Sequence, residues 1–312
     1  MRSSEPDPRR RRPAALPGVL LACLLLVGCS PERLLVRPLA DAVARSGEVH
    51  ATDDDPDLIA AATPFALKAI ESLIVAEPGH RGLRLAAARG FTQYAYAFVQ
   101  MPADEIEERD VAAAYLQRDR ARRLYVRARD HGLAGLGIAD DAGRERFFRD
   151  PAACVAALGK ADVPLMYWTA VAGAAAVALG KDSPALIATL PTAEALALRA
   201  EALDPDFDRG GLQVFLLALE SGRPGAPGDP LVSARRRFAR AVVLSEGRQA
   251  APYVAFAEVV AAAHGSAEEF RALIGSALAV DASRPDAWRL ANLVSQRRAR
   301  WLLTQNEVLF PE

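Results

Sequence analysis

Fifteen consecutive residues, Leu165 to Leu179, carry no charge in a chain of which 25% is charged. The run is rich in Ala and contains Thr169 and Gly173; it opens at Asp162-Val163-Pro164 and closes at Gly180-Lys181-Asp182. A membrane-spanning helix takes about 20 strongly apolar residues, and this run is shorter and only weakly hydrophobic. It reads as a central helix buried on all sides. A soluble fold that contains it must supply other helices to cover it.

The rest of the chain can supply them. Ala is abundant, β-branched runs are scarce, and Lys68, Lys160 and Lys181 are the only lysines beside many arginines. Ala, Leu, Arg and Glu are strong helix formers, so the expected class is all-α. Asp53-Asp54-Asp55-Pro56-Asp57 opens a helix through a cap, a first-turn proline and carboxylates at the positive end of the dipole. Thr63-Pro64 repeats that signal, so the stretch to Ala76 is either two helices or one kinked at Pro64. His80 to Met101 is helical and rich in small residues. A long polar helix is expected from Asp104 to about His131, then a glycine-punctuated loop from Gly132 to Gly143.

From Ser183 the chain becomes repetitive. The apolar faces Ala193-Leu196-Ala200-Leu203, Ala234-Phe238-Ala241-Leu244 and Phe270-Leu273-Ile274-Ala277 each end in a turn. Second apolar helices follow at Leu212 to Leu219, Tyr253 to Ala263 and Trp288 to Leu303. Ser266 with Glu269 forms a capping box. The spacing is a loose version of the tetratricopeptide period. The expected architecture is therefore tetratricopeptide-like helical hairpins, stacked into an α-solenoid or bundle around the buried apolar helix, with 53–312 as a single helical repeat domain. Gly222 to Pro230 is an exposed connector within it.

The N-terminus carries a different message. Arg9 to Arg12 precede an apolar run from Leu16 to Val27, and Leu26-Val27-Gly28-Cys29 has the form of a bacterial lipobox. Residues 1–28 are expected to be a lipoprotein signal peptide, Cys29 the lipidated residue, and 29–52 the tether and first helix. Ser30 beside the Cys favours the outer membrane by the usual sorting rule. Cleavage before Cys29 removes five Arg and two acidic residues, leaving 33 basic against 37 acidic side chains, net −4. That balance has no footprint for nucleic acid. With Cys23 removed and Cys29 acylated, Cys154 stands alone in an apolar helical setting, expected to be buried and inert.

Catalytic patterns are missing. The four histidines, His50, His80, His131 and His264, fall in no zinc-binding spacing. Gly159-Lys160 lacks the rest of a phosphate loop. Asp204-Pro-Asp206-Phe-Asp208 begins like a calcium loop, but Arg209 and Phe215 occupy the positions that need Gly and Glu; it reads as a turn and cap. No cofactor, metal or enzymatic activity is expected. Arg297, Arg298 and Arg300 form a basic cluster on the last helix, read as a solvated or salt-bridged face. Phe91, Tyr94 and Phe98 share a helical face. With Tyr167 and Trp168 they are the candidates to line a ligand cavity, although aromatics at helical spacing are more often core.

Gly90-Phe-Thr-Gln-Tyr-Ala-Tyr-Ala-Phe-Val99, Asp162-Val-Pro-Leu-Met-Tyr-Trp168 and Pro252-Tyr-Val-Ala-Phe-Ala-Glu258 resemble the TatT family, as do the DDDPDL opening and the closing Arg289-Leu-Ala-Asn292 with Gln296-Arg-Arg-Ala-Arg-Trp301. Members are periplasmic lipoproteins associated with TRAP (tripartite ATP-independent periplasmic) transporters. The resemblance implies a non-enzymatic helical repeat protein that partners a periplasmic solute-binding protein, with homo-oligomers, trimers in particular, and apolar cavities or pores. Where family members often carry a His after Asp-Pro-x-Phe, this chain reads Leu212-Gln213-Val214. Two other classes stay open: a general envelope scaffold lipoprotein, and a stand-alone binder of hydrophobic small molecules.

Overall fold

The computed structural model describes residues 31–45, 50–222, 229–263 and 265–311. The expected signal segment, Cys29, Ser30, most of the expected connector at 222–230 and His264 lie outside them. The described residues are helical throughout and contain no strand.

The helices run in order as α1 (Pro31–Arg45), α2 (Pro56–Ala76), α3 (Arg81–Ala95), α4 (Met101–Ile106), α5 (Val111–Gly135), α6 (Asp141–Arg149), α7 (Pro151–Ala156), α8 (Val163–Ala178), α9 (Pro184–Ile187), α10 (Leu190–Leu203), α11 (Gly211–Ser221), α12 (Pro230–Leu244), α13 (Ala251–Ala262), α14 (Ala267–Ala279), α15 (Arg289–Thr304) and α16 (Asn306–Leu309). Their starts follow the chemistry of caps. Asp55 Oδ1 accepts from the amides of Asp57 and Leu58 at 3.1 and 3.0 Å, and Ser266 Oγ accepts from Glu269 N at 3.2 Å. Side-chain acceptors of this kind satisfy N–H groups that have no partner within the helix. Pro64 sits inside α2, which continues as one helix of 21 residues.

The charge-free run forms α8, which packs between α5 and α10. Val163, Leu165, Met166, Tyr167, Thr169, Ala170, Ala172, Gly173, Ala176 and Val177 are buried. Its cover is not complete, contrary to expectation: Trp168, Val171 and Ala175 are half-buried and Ala178 is exposed. These positions lie three or four residues apart, so one stripe of the helix is left open.

Two further expectations are corrected. The polar helix starts at Val111, capped by Asp110, whose Oδ1 accepts from Ala113 N at 2.9 Å. It also runs through Gly132 to Gly135. Gly132 is no loop residue, because a β-carbon there would stand 2.0 Å from Thr169 Oγ1 and 3.3 Å from Thr169 Cα. The glycine is what lets α5 and α8 cross so closely. At Gly173 an added β-carbon would meet Ala193 Cβ at 3.6 Å, an ordinary contact.

Of the helices after α9, the most extensively packed pairs are α11 with α12 and α13 with α14. The expected hairpins thus appear shifted by one helix, since α10 packs on α8 far more than on α11. The two ends of the described fold then meet, with α15 against α2. Arg289 Nη2 lies 2.6 Å from Asp54 Oδ2, Arg297 Nη2 2.7 Å from Glu105 Oε2, and Arg298 Nη1 2.8 Å from Asp104 Oδ2. The basic cluster of the last helix is therefore mostly paired, and it holds the start and end of the fold together.

Outward, α2 is unusual. It is long and apolar enough to cross a membrane by length and composition, yet Leu58, Phe65 and Val75 are 57%, 81% and 81% exposed. Cys154 is half-buried, not fully covered.

Candidate functional site

The local geometry of α3 sets up the site. Pro102 has no N–H to offer Phe98 O, and its ring crowds that carbonyl. The helix widens in response: Tyr96–Gln100 forms a π-helical turn, in which Met101 N–H reaches back to Tyr96 O. Such turns insert one residue and rotate the downstream part of the helix. Arg89, Gln93 and Tyr96 share one face at spacings of four and three, with Gln93 and Tyr96 exposed.

Tyr96 keeps 38% of its surface accessible. Its phenol is nevertheless pushed above the usual range, first by burial, then by the negative charge of Glu258 and Asp104, against an opposing effect of Arg298. Part of the Tyr96 side chain thus meets water while the rest packs within the protein. The charges that act on it sit on α4 at Asp104, on α13 at Glu258 and on α15 at Arg298. Arg298 Nε donates to Glu258 Oε1 at 2.8 Å.

Asp208 is the second such group. It is exposed by area, yet burial raises its carboxyl to about 6, with Arg89 opposing the shift. The turn that carries it is strained: Asp208, Arg209 and Gly210 are all left-handed, with φ of 53°, 47° and 104°. Two consecutive non-glycine residues in that region cost about 1–3 kcal/mol each. Gly210 cannot be replaced cheaply, because a β-carbon would come within 3.0 Å of Ala241 Cα and O on α12. Arg209 lies over the Trp288 ring at 5.3 Å, and Arg248 lies over it at 4.6 Å.

Beside this turn is an aromatic cluster. Tyr167 meets Trp168, Phe207 and Phe215 at ring separations of 5.0, 5.3 and 6.1 Å. Burial, and then the Asp208 charge, push the Tyr167 phenol above its ordinary range. The charge of Arg89 on α3 acts on Asp208, and the charge of Asp208 acts on Tyr167 of α8. Tyr167, Trp168, Phe207 and Phe215 thus form an aromatic patch beside a partly desolvated carboxyl.

The five aromatics singled out from the sequence divide among three places. Tyr167 and Trp168 belong to the cluster just described. Phe98 borders a separate cavity of about 300 Å³ at the seam between the two ends of the fold, with Leu293 and Val294 of α15. Tyr94 packs on Phe98 at 5.9 Å and its hydroxyl accepts from Arg120 at 3.4 Å. Phe91 is buried, stacked on His131 at 5.8 Å with Arg127 over its ring at 5.0 Å. Tyr96 and Asp208 escaped the sequence reading. The proline two residues into α4 was the available signal for the first, and nothing in the local pattern marks the second. Gln213, within the Leu212-Gln213-Val214 segment that has no His, is buried; it donates to Pro205 O at 3.0 Å and accepts from Arg237 at 2.9 Å.

With this geometry in view, comparison with known proteins is informative. Residues 52–310 match the TAtT family, described as the TRAP transporter T-component. The chain is also 30% identical over 299 residues to an uncharacterized protein of Treponema pallidum (strain Nichols), covering 90% of this chain and 93% of that protein.

Proposed function

The chain belongs to the TAtT family of TRAP transporter T-components, and from that premise we propose that it docks the system's periplasmic solute-binding protein and shelters an apolar ligand in an internal recess between Tyr96 and Tyr167. Family membership suggests a non-enzymatic role and a periplasmic or membrane-associated location. In this reading a lipid on Cys29 holds the protein at the membrane, the outer membrane on the strength of Ser30. A tether of that kind raises the effective concentration of co-localised partners. Several acyl chains make such an anchor stable, at about 0.8 kcal/mol per buried CH₂.

The observation that carries the proposal is the extent of the family match, which spans the closed fold from the cap of α2 to the last described helix. The aromatic cluster of Tyr167, Trp168, Phe207 and Phe215 supports the apolar character of the ligand. A second reading, a general envelope scaffold, draws on the exposed apolar stripe of α2 at Leu58, Phe65 and Val75.

Sedimentation of the mature lipid-free protein with the solute-binding protein encoded beside it tests the proposal. A mixed complex is expected, and the same runs report whether the protein alone is a trimer. Tyr96→Ala and Trp168→Ala should alter ligand transfer more than they alter melting. Absence of a complex at about 50 μM, with and without solute, would overturn the transporter reading and promote the scaffold.

A further inference from the structure

The outward side of α5 borders a second concavity, an open cleft of about 550 Å³ lined by Arg84, Arg123, Arg127 and Arg144 with His131 and Asp130. Four guanidinium groups around one cleft would repel unless each had its own carboxylate, and the pairing is uneven. Arg123 is held by Asp119 and Arg127 by Glu71. Asp130 accepts from Arg129 at 3.0 Å. Arg84 and Arg144 form no ion pair with any described residue.

Arg84 is fixed in place without being neutralised. Its Nε and Nη2 donate to Pro78 O at 3.2 and 3.1 Å, and its Nη1 lies 3.2 Å from His131 Nδ1. A guanidinium can only donate, so Nδ1 must accept and the imidazole proton sits on Nε2, directed at Glu71 Oε1 3.1 Å away. His131 is therefore neutral; it orients Arg84 and adds no charge of its own. Burial pulls its pKa down, and the nearby arginines act in the same direction against Glu71. Arg144 is held less tightly: its Nε is buried with no hydrogen-bond partner.

We propose that this cleft is a binding site for a small oxyanion, a carboxylate or phosphate group taken between Arg84 and Arg144. Guanidinium forks match both groups in shape and charge, and neither Arg84 nor Arg144 has a carboxylate among the described residues to compete with the ligand. The cleft has the volume of a small-molecule site. It is separate from the recess, so this site is independent of the apolar ligand proposed above.

Calorimetric titration of the full protein at low salt, with inorganic phosphate in one arm and succinate in the other, tests this assignment. Saturable binding is expected in at least one arm, weakening as salt rises; the arm that saturates identifies the group. Arg144→Gln should weaken that binding about tenfold or more, while Arg144→Lys retains part of it. Because Arg144 has no ion-pair partner among the described residues, the Gln variant should melt like the parent. A second readout avoids reliance on variants: the Nε–H resonances of Arg84 and Arg144 should shift on titration of the unaltered protein. Failure of both anions to saturate by about 10 mM, or binding by Arg144→Gln equal to that of the parent, would remove the site.

Discussion

Glu71 and Asp208 are carboxyls in two regions of one protein, and their surroundings push them in opposite directions. Burial opposes ionisation of Glu71, but hydrogen bonds from Lys68, Arg127 and His131 outweigh it and bring its pKa to about 2. Burial dominates at Asp208, where the attraction of Arg89 opposes it, and the pKa rises to about 6. Charge is held at Glu71 because Lys68, Arg127 and His131 make hydrogen-bonded contact with it. Charge is disfavoured at Asp208 because burial outweighs the attraction of Arg89, while Arg209 and Arg248 stack on Trp288. One chain presents both environments, separated by the α5–α8 crossing.

The wall between the regions is the place to break the contrast most severely. Gly132→Ala inserts a methyl where Thr169 already stands, and overpacking of a close crossing costs about 1–3 kcal/mol. A loss near the upper end is expected, since the clash includes the Thr169 backbone. Gly173→Ala in the facing helix should instead be neutral or stabilise by up to about 1 kcal/mol. Thermal or urea unfolding of the pair separates them; equal effects would mean that the crossing is looser than the distances imply.

Glu71→Gln removes the charge from the cation-paired carboxyl and should cost about 1–2 kcal/mol at pH 7 after allowing for solvent screening. The sign comes from the lowered folded pKa. Its stabilisation is present above the unfolded value of 4.5 and disappears as pH falls through 4.5 toward about 2. The deficit of the Gln variant should therefore shrink over that interval. A deficit that is constant across it would point to shape, not charge.

Asp208→Asn is the smallest change and has the opposite sign. A raised folded pKa favours the folded state below the unfolded value of 3.8, and this contribution is lost as pH rises through about 6. Asn escapes that loss, so the variant should gain on the parent between pH 4 and 6 and hold its advantage above. The gain should be about 1 kcal/mol or less, because water reaches the side chain and screens it. Asn also tolerates a left-handed backbone, which would add a pH-independent benefit. Only the pH-dependent part bears on the recess, and its absence would place Asp208 in open solvent.

Much of the fold was legible in the sequence because it depends on neighbours along the chain. The all-α class, the cap at Asp55, the central charge-free helix and the helices from Leu190 onward all follow from spacing, propensity and capping. So does the salt-bridged fate of Arg297 and Arg298. The site was legible only in part. Tyr167 and Trp168 lie together beside the strained turn, whereas Phe91 turns to His131 and Tyr94 packs on Phe98 at the seam, because which neighbour each ring meets is set by helices distant in sequence.

By itself, the sequence determined local matters: which segments are helical, where they start, and that Leu165 to Leu179 must be covered. The tertiary structure alone decided that Gly132 is a helix crossing and not a loop, that helices pair one step out of the expected phase, and that α15 returns to α2. It also decided that Asp208 and Arg209 are left-handed and that Tyr96 lies among the charges of Asp104, Glu258 and Arg298. The division has a physical basis. Helix propensity and capping act over three or four residues, while burial, ion pairing between distant parts of the chain and the close approach of two helices depend on groups that become neighbours only when the fold is complete.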